Sequence, residues 1–218
     1  MRRLLRPALL TLACLSLTSL LVAAEMPTGT ITVWDGDTAA AGGGWASPNP
    51  DINTITVSES VHNKGKKLLA FKGGGAEYIG CGWNWHKWFP ADAATDISGC
   101  DRMRFYFKVT GDAKPVDFKI RLTANNKEFS AEVSVSKYLV AMDRGKIDDG
   151  DWHEIVIPLK DLYGNKKFDP KLAWEFGLSE WSQSKKDFTA YIDMVQFLPP
   201  ESKAAETKPA MTAPAVAK

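Results

Sequence analysis

The residues from Gly80 to Pro90 read Gly-Cys-Gly-Trp-Asn-Trp-His-Lys-Trp-Phe-Pro. Trp83, Trp85, Trp88 and Phe89 fall within seven positions, interleaved with an amide, an imidazole and an ammonium group. Flat rings beside polar groups suit a sugar. The apolar C–H face of a pyranose lies on a ring, and its hydroxyls take hydrogen bonds from charged or amide groups. Strand alternation would bury one or two of these rings but not all four, so at least one of Trp83, Trp85 and Trp88 is expected to reach solvent. Further candidates follow from strand faces. Tyr106 alternates outward with Arg104 and Lys108, Arg121 with Lys119 and Thr123, and Trp181 with Glu175 and Ser179. An ordinary solvated sheet face shows the same alternation, so the pattern admits both readings. His86 is as readily a loop hydrogen-bond partner as a ligand contact, and His153 reads as an outward strand residue with no special task.

Carboxylates give the second candidate chemistry. Asp193 shares a period-two face with Tyr191, Val195 and Phe197, which look inward, and Asp35 shares one with Ile31 and Val33. A carboxylate on a core face is costly unless paired or bound to a cation. Two such groups on the first and last strands, with nearby carbonyls, would suit structural Ca²⁺, a hard cation that takes oxygen ligands. Asp37 is a weaker third. Alternatively, both carboxylates cap turns or accept backbone N–H bonds. Catalysis finds less support. Glycoside hydrolysis needs two carboxylates at a set separation. Glu128 and Glu132 on one strand would stand about 13 Å apart, although a cross-strand pair stays open. No nucleophile elbow or phosphate loop occurs, and His62, His86 and His153 lack zinc-ligand spacing. A noncatalytic protein is expected.

The frame that must position these groups is set by composition. The chain has 218 residues, a net charge of +1 and 44% hydrophobic residues, eight of them Trp. Wholesale disorder is excluded, and a near-neutral chain is no dedicated nucleic-acid binder. Arg2, Arg3 and Arg6 precede an uncharged apolar stretch from Leu9 to Val22 that ends Val22-Ala23-Ala24. Residues 1–24 read as a cleaved signal peptide. An uncleaved anchor is the alternative, but the run is short for a span of about 20 residues. The mature chain should be secreted or periplasmic and should not span a membrane. In an oxidising compartment Cys81 and Cys100 read as one disulfide, closing a loop worth on the order of 3 kcal/mol in the chain-entropy model. Two separately buried thiols are the alternative.

Period-two runs recur at Ile31–Trp34, Thr54–Val57, Lys67–Lys72, Ala76–Trp85, Met103–Thr110, Val116–Thr123, Glu128–Val135, Trp152–Leu159, Trp174–Trp181 and Phe188–Leu198. Glycine, Asn, Asp and Pro clusters, including Gly42-Gly43-Gly44, separate them. Alternation with this punctuation predicts an all-β fold, a two-sheet antiparallel sandwich of jelly-roll type, over residues 28–198. Single helical turns are expected at Ala91–Thr95 and Leu159–Tyr163. Residues 199–218, rich in Ala, Pro and Lys and without aromatics, are expected to be disordered.

Four strings carry a resemblance: Ile79–Trp85, Asp96–Tyr106 (DISGCDRMRFY), Asp151–Leu159 (DWHEIVIPL) and Ala190–Phe197 (AYIDMVQF). In this order they resemble the galactose-binding-like jelly-roll superfamily, and especially family-11-like carbohydrate-binding modules. The intermediate-associated protein of respiratory complex I shares the pattern. The resemblance implies two opposed sheets, a concave face holding a polysaccharide or oligosaccharide, and often a structural Ca²⁺, with Asp193 at the usual acidic position and Asp35 a looser match. Ligand residues vary in such modules, so Trp83, Trp85, Trp88, Tyr106, Arg121 and Trp181 rest on face assignment. The expected function is secreted, noncatalytic glycan binding. The alternative is an envelope or assembly protein that offers the same face to a protein partner.

Overall fold

A computed structural model of the chain describes residues 29–36, 43–47, 54–58, 64–74, 79–86, 93–111, 117–139, 146–147, 149–180 and 187–201. The proposed leader, most of the tail, Asp37, Trp88 and Trp181 lie outside them. Among the described residues eleven strands form two antiparallel sheets. The six-stranded sheet contains β1 (Ile31–Trp34), β3 (Thr54–Ser58), β4 (Leu68–Gly73), β6 (Arg102–Gly111), β9 (His153–Pro158) and β11 (Phe188–Leu198). Its order is β3-β4-β11-β6-β9, with β1 paired to β11. The five-stranded sheet runs β2 (Gly43–Ser47), β5 (Ile79–Asn84), β10 (Ala173–Glu180), β7 (Lys119–Ala124) and β8 (Val133–Ser134). Among the described residues helix is confined to α1 (Leu159–Leu162) and two 3₁₀ turns at Ser136–Tyr138 and Pro170–Leu172. Among the described residues no helix is long and apolar enough to cross a membrane.

The strands form because their side chains alternate. In β6, Met103, Phe105, Phe107 and Val109 are buried while Arg102, Arg104, Tyr106 and Lys108 are not. The inner faces meet in a chain of edge-to-face rings. Phe107 and Phe118 have centroids 5.1 Å apart, Phe118 and Phe188 5.6 Å, and Phe188 and Phe71 5.7 Å. Such pairs contribute about 0.5–1.5 kcal/mol each beyond area burial. Trp34 packs edge-on to Trp83 at 5.7 Å, and Trp85 lies 5.9 Å from Phe197.

The structure departs from expectation at several points. Gly43 and Gly44 belong to a strand, β2, rather than to a separator. The expected Glu128–Val135 strand contracts to β8, preceded by one isolated bridge between Thr123 and Phe129. The turn at Leu159 is present as α1, whereas Thr95 forms a bridge to Ala173. Asp193 is fully buried, yet it does not share the face of Val195 and Phe197. Met194 adopts φ 50°, and the β11–β6 register shifts between Asp193 and Gln196. This bulge inverts the alternation. Asp193 therefore stands opposite Tyr106 on the outer face of the six-stranded sheet.

Cys81 and Cys100 form no disulfide. Cys81 lies within β5, between Ala46 and Leu178 of the flanking strands, and is fully buried. Cys100 ends the turn that leads into the other sheet, its N–H donating to Ile97 O at 3.0 Å. The two thiols are thus fixed on different layers. Burial pushes both thiols above their ordinary range, Cys81 strongly, which keeps them protonated and unreactive. Alkylating the unfolded, unreduced protein should label both Cys81 and Cys100, and a reductant should leave the melting temperature unchanged. A mass lower by two hydrogen atoms, with neither Cys81 nor Cys100 labelled, would restore the bridge.

Candidate functional site

The outer face of the five-stranded sheet carries a built cleft. Its centre is a cross-strand row: Trp45 of β2 opposes Gly82 of β5, Gly82 opposes Gly177 of β10, and Gly177 opposes Arg121 of β7. The two central positions have no side chains, so the flanking ones lie down over the backbone. A Cβ on Gly82 would strike Trp45 Nε1 and sit 2.6 Å from its Cε2. A Cβ on Gly177 would meet Arg121 Nε at 3.6 Å. Trp45 Nε1–H donates to Glu175 Oε2 at 3.0 Å, and Thr123 Oγ1 donates to Glu175 Oε1 at 3.1 Å. The Arg121 guanidinium stacks 4.1 Å from the ring centroid of Phe129, a residue that is 42% exposed, and reaches Glu132 at 3.6 Å. A bulge between Ala173 and Glu175 turns Trp174 toward the same cleft. Lys127, held at φ 68° in the turn before Phe129, stands at its rim. The cleft measures about 390 Å³ and is lined by Trp45, Arg121, Thr123, Lys127, Phe129, Trp174 and Glu175 among others.

Glu175 is only 5% exposed. Burial pushes its carboxyl above the ordinary range, against the hydrogen bonds from Trp45 and Thr123 and the charge of Arg121. The cleft thus combines ring faces, a stacked guanidinium, an ammonium and a desolvated carboxyl. The rings can stack on C–H surfaces, and the guanidinium and ammonium can hydrogen-bond hydroxyls.

Of the expected residues that are described, only Arg121 lines this cleft. Trp83 and Trp85 are 6% and 8% exposed and belong to the core. Trp85 Nε1–H donates to Thr95 Oγ1 at 3.0 Å. β5 points Trp83 inward with Cys81, and Trp85 follows onto Phe197, so neither is the solvent-facing ring expected among Trp83, Trp85 and Trp88. Tyr106 lies on the opposite sheet, its hydroxyl 3.4 Å from Glu154 and its ring beneath Lys64 Nζ at 4.9 Å. Trp88 and Trp181 lie outside the described residues. Trp45, Thr123, Phe129, Trp174 and Glu175 were missed as site residues. The available signal was the pairing of Gly80 and Gly82 on one strand face, which leaves a flat seat for a neighbouring ring.

Asp193 and Asp35 mark a second place. Lys64 N–H donates to Asp193 Oδ2 at 2.8 Å. Gly36, at φ 75°, closes against the carboxylate so tightly that a Cβ would lie 3.0 Å from Oδ1. The Gly36 carbonyl gathers the N–H groups of Lys66 and Lys67. Among the described residues no three His, Cys, Asp or Glu side chains converge on a metal position. The groups in question are the Asp193 carboxylate, Asp35, which precedes Gly36 in the chain, and loop carbonyls, all oxygen donors of the kind Ca²⁺ accepts.

Comparison with known proteins decides the family. The model for carbohydrate binding domain 30 matches residues 30–199. The chain belongs to the carbohydrate binding domain 30 family. The family 30 carbohydrate-binding module of a cellulosomal cellulase from Clostridium thermocellum superposes with a TM-score of 0.59 at 17% identity, covering 79% of this chain and 99% of that one. The family 11 module of another Clostridium thermocellum cellulosomal cellulase gives 0.51 at 13% identity, over 78% and 95%. A β-1,2-glucanase from Parabacteroides distasonis gives 0.54 at 16% identity, over 78% of this chain but 24% of its own. No curated protein matches the sequence. The protein is a noncatalytic carbohydrate-binding module of β-sandwich jelly-roll type, and its partner is a saccharide.

The raised Glu175 carboxyl has a consequence for stability. Its folded-state pKa lies above the ordinary 4.5, so its contribution is full below that value and is lost as pH rises through the folded-state pKa. Replacing Glu175 with Gln should remove this decline. Thermal melts from about pH 4 to about pH 8 should fall less steeply for Glu175→Gln than for the wild type, and parallel curves would contradict the assignment.

Proposed function

We propose that this module is exported and holds a glycan chain across the outer face of the five-stranded sheet, in the cleft between Trp45 and Phe129. The carrying observation is the Trp45 ring laid over Gly82 and facing a cleft floored by Glu175 and Thr123. A sugar ring set on that indole removes apolar surface from water. Its hydroxyls meet Arg121 and Lys127. The family 11 module of Clostridium thermocellum has been seen with a β-1,3-1,4-mixed-linked tetrasaccharide, which makes soluble mixed-linked β-glucans the first probe. Export is supported by the basic and apolar pattern of residues 1–24. We further propose that Asp193, with Asp35 and the loop carbonyls near Gly36, holds a structural Ca²⁺ that ties the first strand to the last.

In affinity electrophoresis against a polysaccharide panel, at least one β-glucan should retard the wild type, and Trp45→Ala should weaken that retardation roughly tenfold or more, about 1.4 kcal/mol or above. A blank panel, or full binding by Trp45→Ala, would overturn the cleft assignment. Added Ca²⁺ should raise the melting temperature and EDTA lower it, with both effects lost in Asp193→Ala. A melt indifferent to both would remove the calcium proposal.

A further inference from the structure

We propose that Glu175 is a positioning residue for glycan recognition, fixing the plane of the Trp45 indole rather than touching the sugar itself. The inference rests on the cleft reading above and adds to it how the platform is held before ligand arrives. Trp45 sits on β2, which among the described strands is an edge strand paired with β5. A ring on an edge strand, half exposed, is free to swing about its two side-chain torsions unless something holds it. Two features hold this one. Gly82 removes the side chain that would prop the ring upright. Glu175, reaching from β10 on the far side of β5, takes the indole N–H at 3.0 Å.

Both Glu175 oxygens are engaged, Oε2 by Trp45 and Oε1 by Thr123, and the residue is 5% exposed. A glycan lying on the indole therefore meets the ring, not the carboxyl. Thr123 holds the carboxyl from β7, so strands β2, β10 and β7 are linked through one side chain. The ordering cost of the ring is met on folding instead of on binding, which raises affinity without adding a sugar contact.

The hydrogen bond can be observed without any glycan. Trp45→Phe identifies the Trp45 indole resonance in a ¹H–¹⁵N spectrum of the full chain. That resonance should move upfield in Glu175→Ala, where the acceptor is gone, and should stay near its wild-type position in Glu175→Gln, whose amide oxygen can still accept. On the β-glucan that retards the wild type, Glu175→Ala should bind several-fold more weakly, and Glu175→Gln should recover most of the loss. The double variant Trp45→Phe/Glu175→Ala should bind no worse than Trp45→Phe alone, because the carboxyl acts only through the indole N–H. A general structural role would lower the melting temperature of Glu175→Ala without this coupling. Should Glu175→Ala fail to fold, Glu175→Met, of similar length and without an acceptor, takes its place.

Weak binding by Trp45→Ala together with wild-type affinity in Glu175→Ala would overturn the positioning role and leave the cleft standing. Additive losses in the double variant would also overturn it. Full binding by Trp45→Ala, or a panel with no binding, would overturn the cleft reading and this inference with it.

Discussion

Period-two alternation along β5 is the constraint on which the module depends. Its inward positions, Ile79, Cys81 and Trp83, fill the space between the sheets, and the Trp34–Trp83 contact joins the layers there. Its outward positions, Gly80, Gly82 and Asn84, leave the backbone almost bare. A single strand thereby seals the core and seats the Trp45 ring at the side of the cleft. Had the large residues fallen on the other register, the rings would face water and the sandwich would lose its filling. Because one residue of slip exchanges the faces, core packing and the seat of Trp45 are specified together.

Much of the architecture was legible in the sequence because strands buried on one side declare themselves. The alternation of β6 is visible in RMRFYFKV and is reproduced in the burial of each residue. Where the pattern misled, a local geometry intervened. Asp193 was placed inward by counting in twos, and the bulge at Met194 reverses the count. Gly43 and Gly44 were read as a break because glycine usually weakens strands. In β2 they lead into the strand that presents Trp45. The aromatic cluster after Gly80 was read as a binding surface, although density of rings is equally the signature of a core. Pattern alone does not reveal which neighbour a ring meets.

The same limit explains why site residues were scattered among the candidates. Tyr106 and Arg121 each alternate outward on their own strand, but outward has opposite senses in the two sheets of a sandwich. The relevant information is the cross-strand register, which joins residues more than a hundred positions apart, as in Trp45 and Glu175. A hydrogen bond at that sequence separation leaves no local mark. What is local is the glycine seat, and its meaning depends on knowing that Trp45 lies opposite.

The two outer faces also differ in how far their polar groups answer one another. On the six-stranded sheet, Arg104 bonds Gln196 and lies 3.7 Å from Glu154. Gln196 Nε2 donates to Thr32 at 3.1 Å. Tyr106 donates to the same glutamate while Lys64 covers its ring, and the Lys64 backbone caps Asp193. A glycan would have to break these contacts to be recognised, exchanging hydrogen bonds at little net gain. On the five-stranded sheet the internal bonds of Trp45 and Thr123 converge on Glu175, below the surface that a ligand would touch. The faces of Trp45 and Phe129 and the ammonium of Lys127 are left at the cleft. Binding there covers apolar rings without dismantling the scaffold that holds them, which favours this face over its opposite as the saccharide surface.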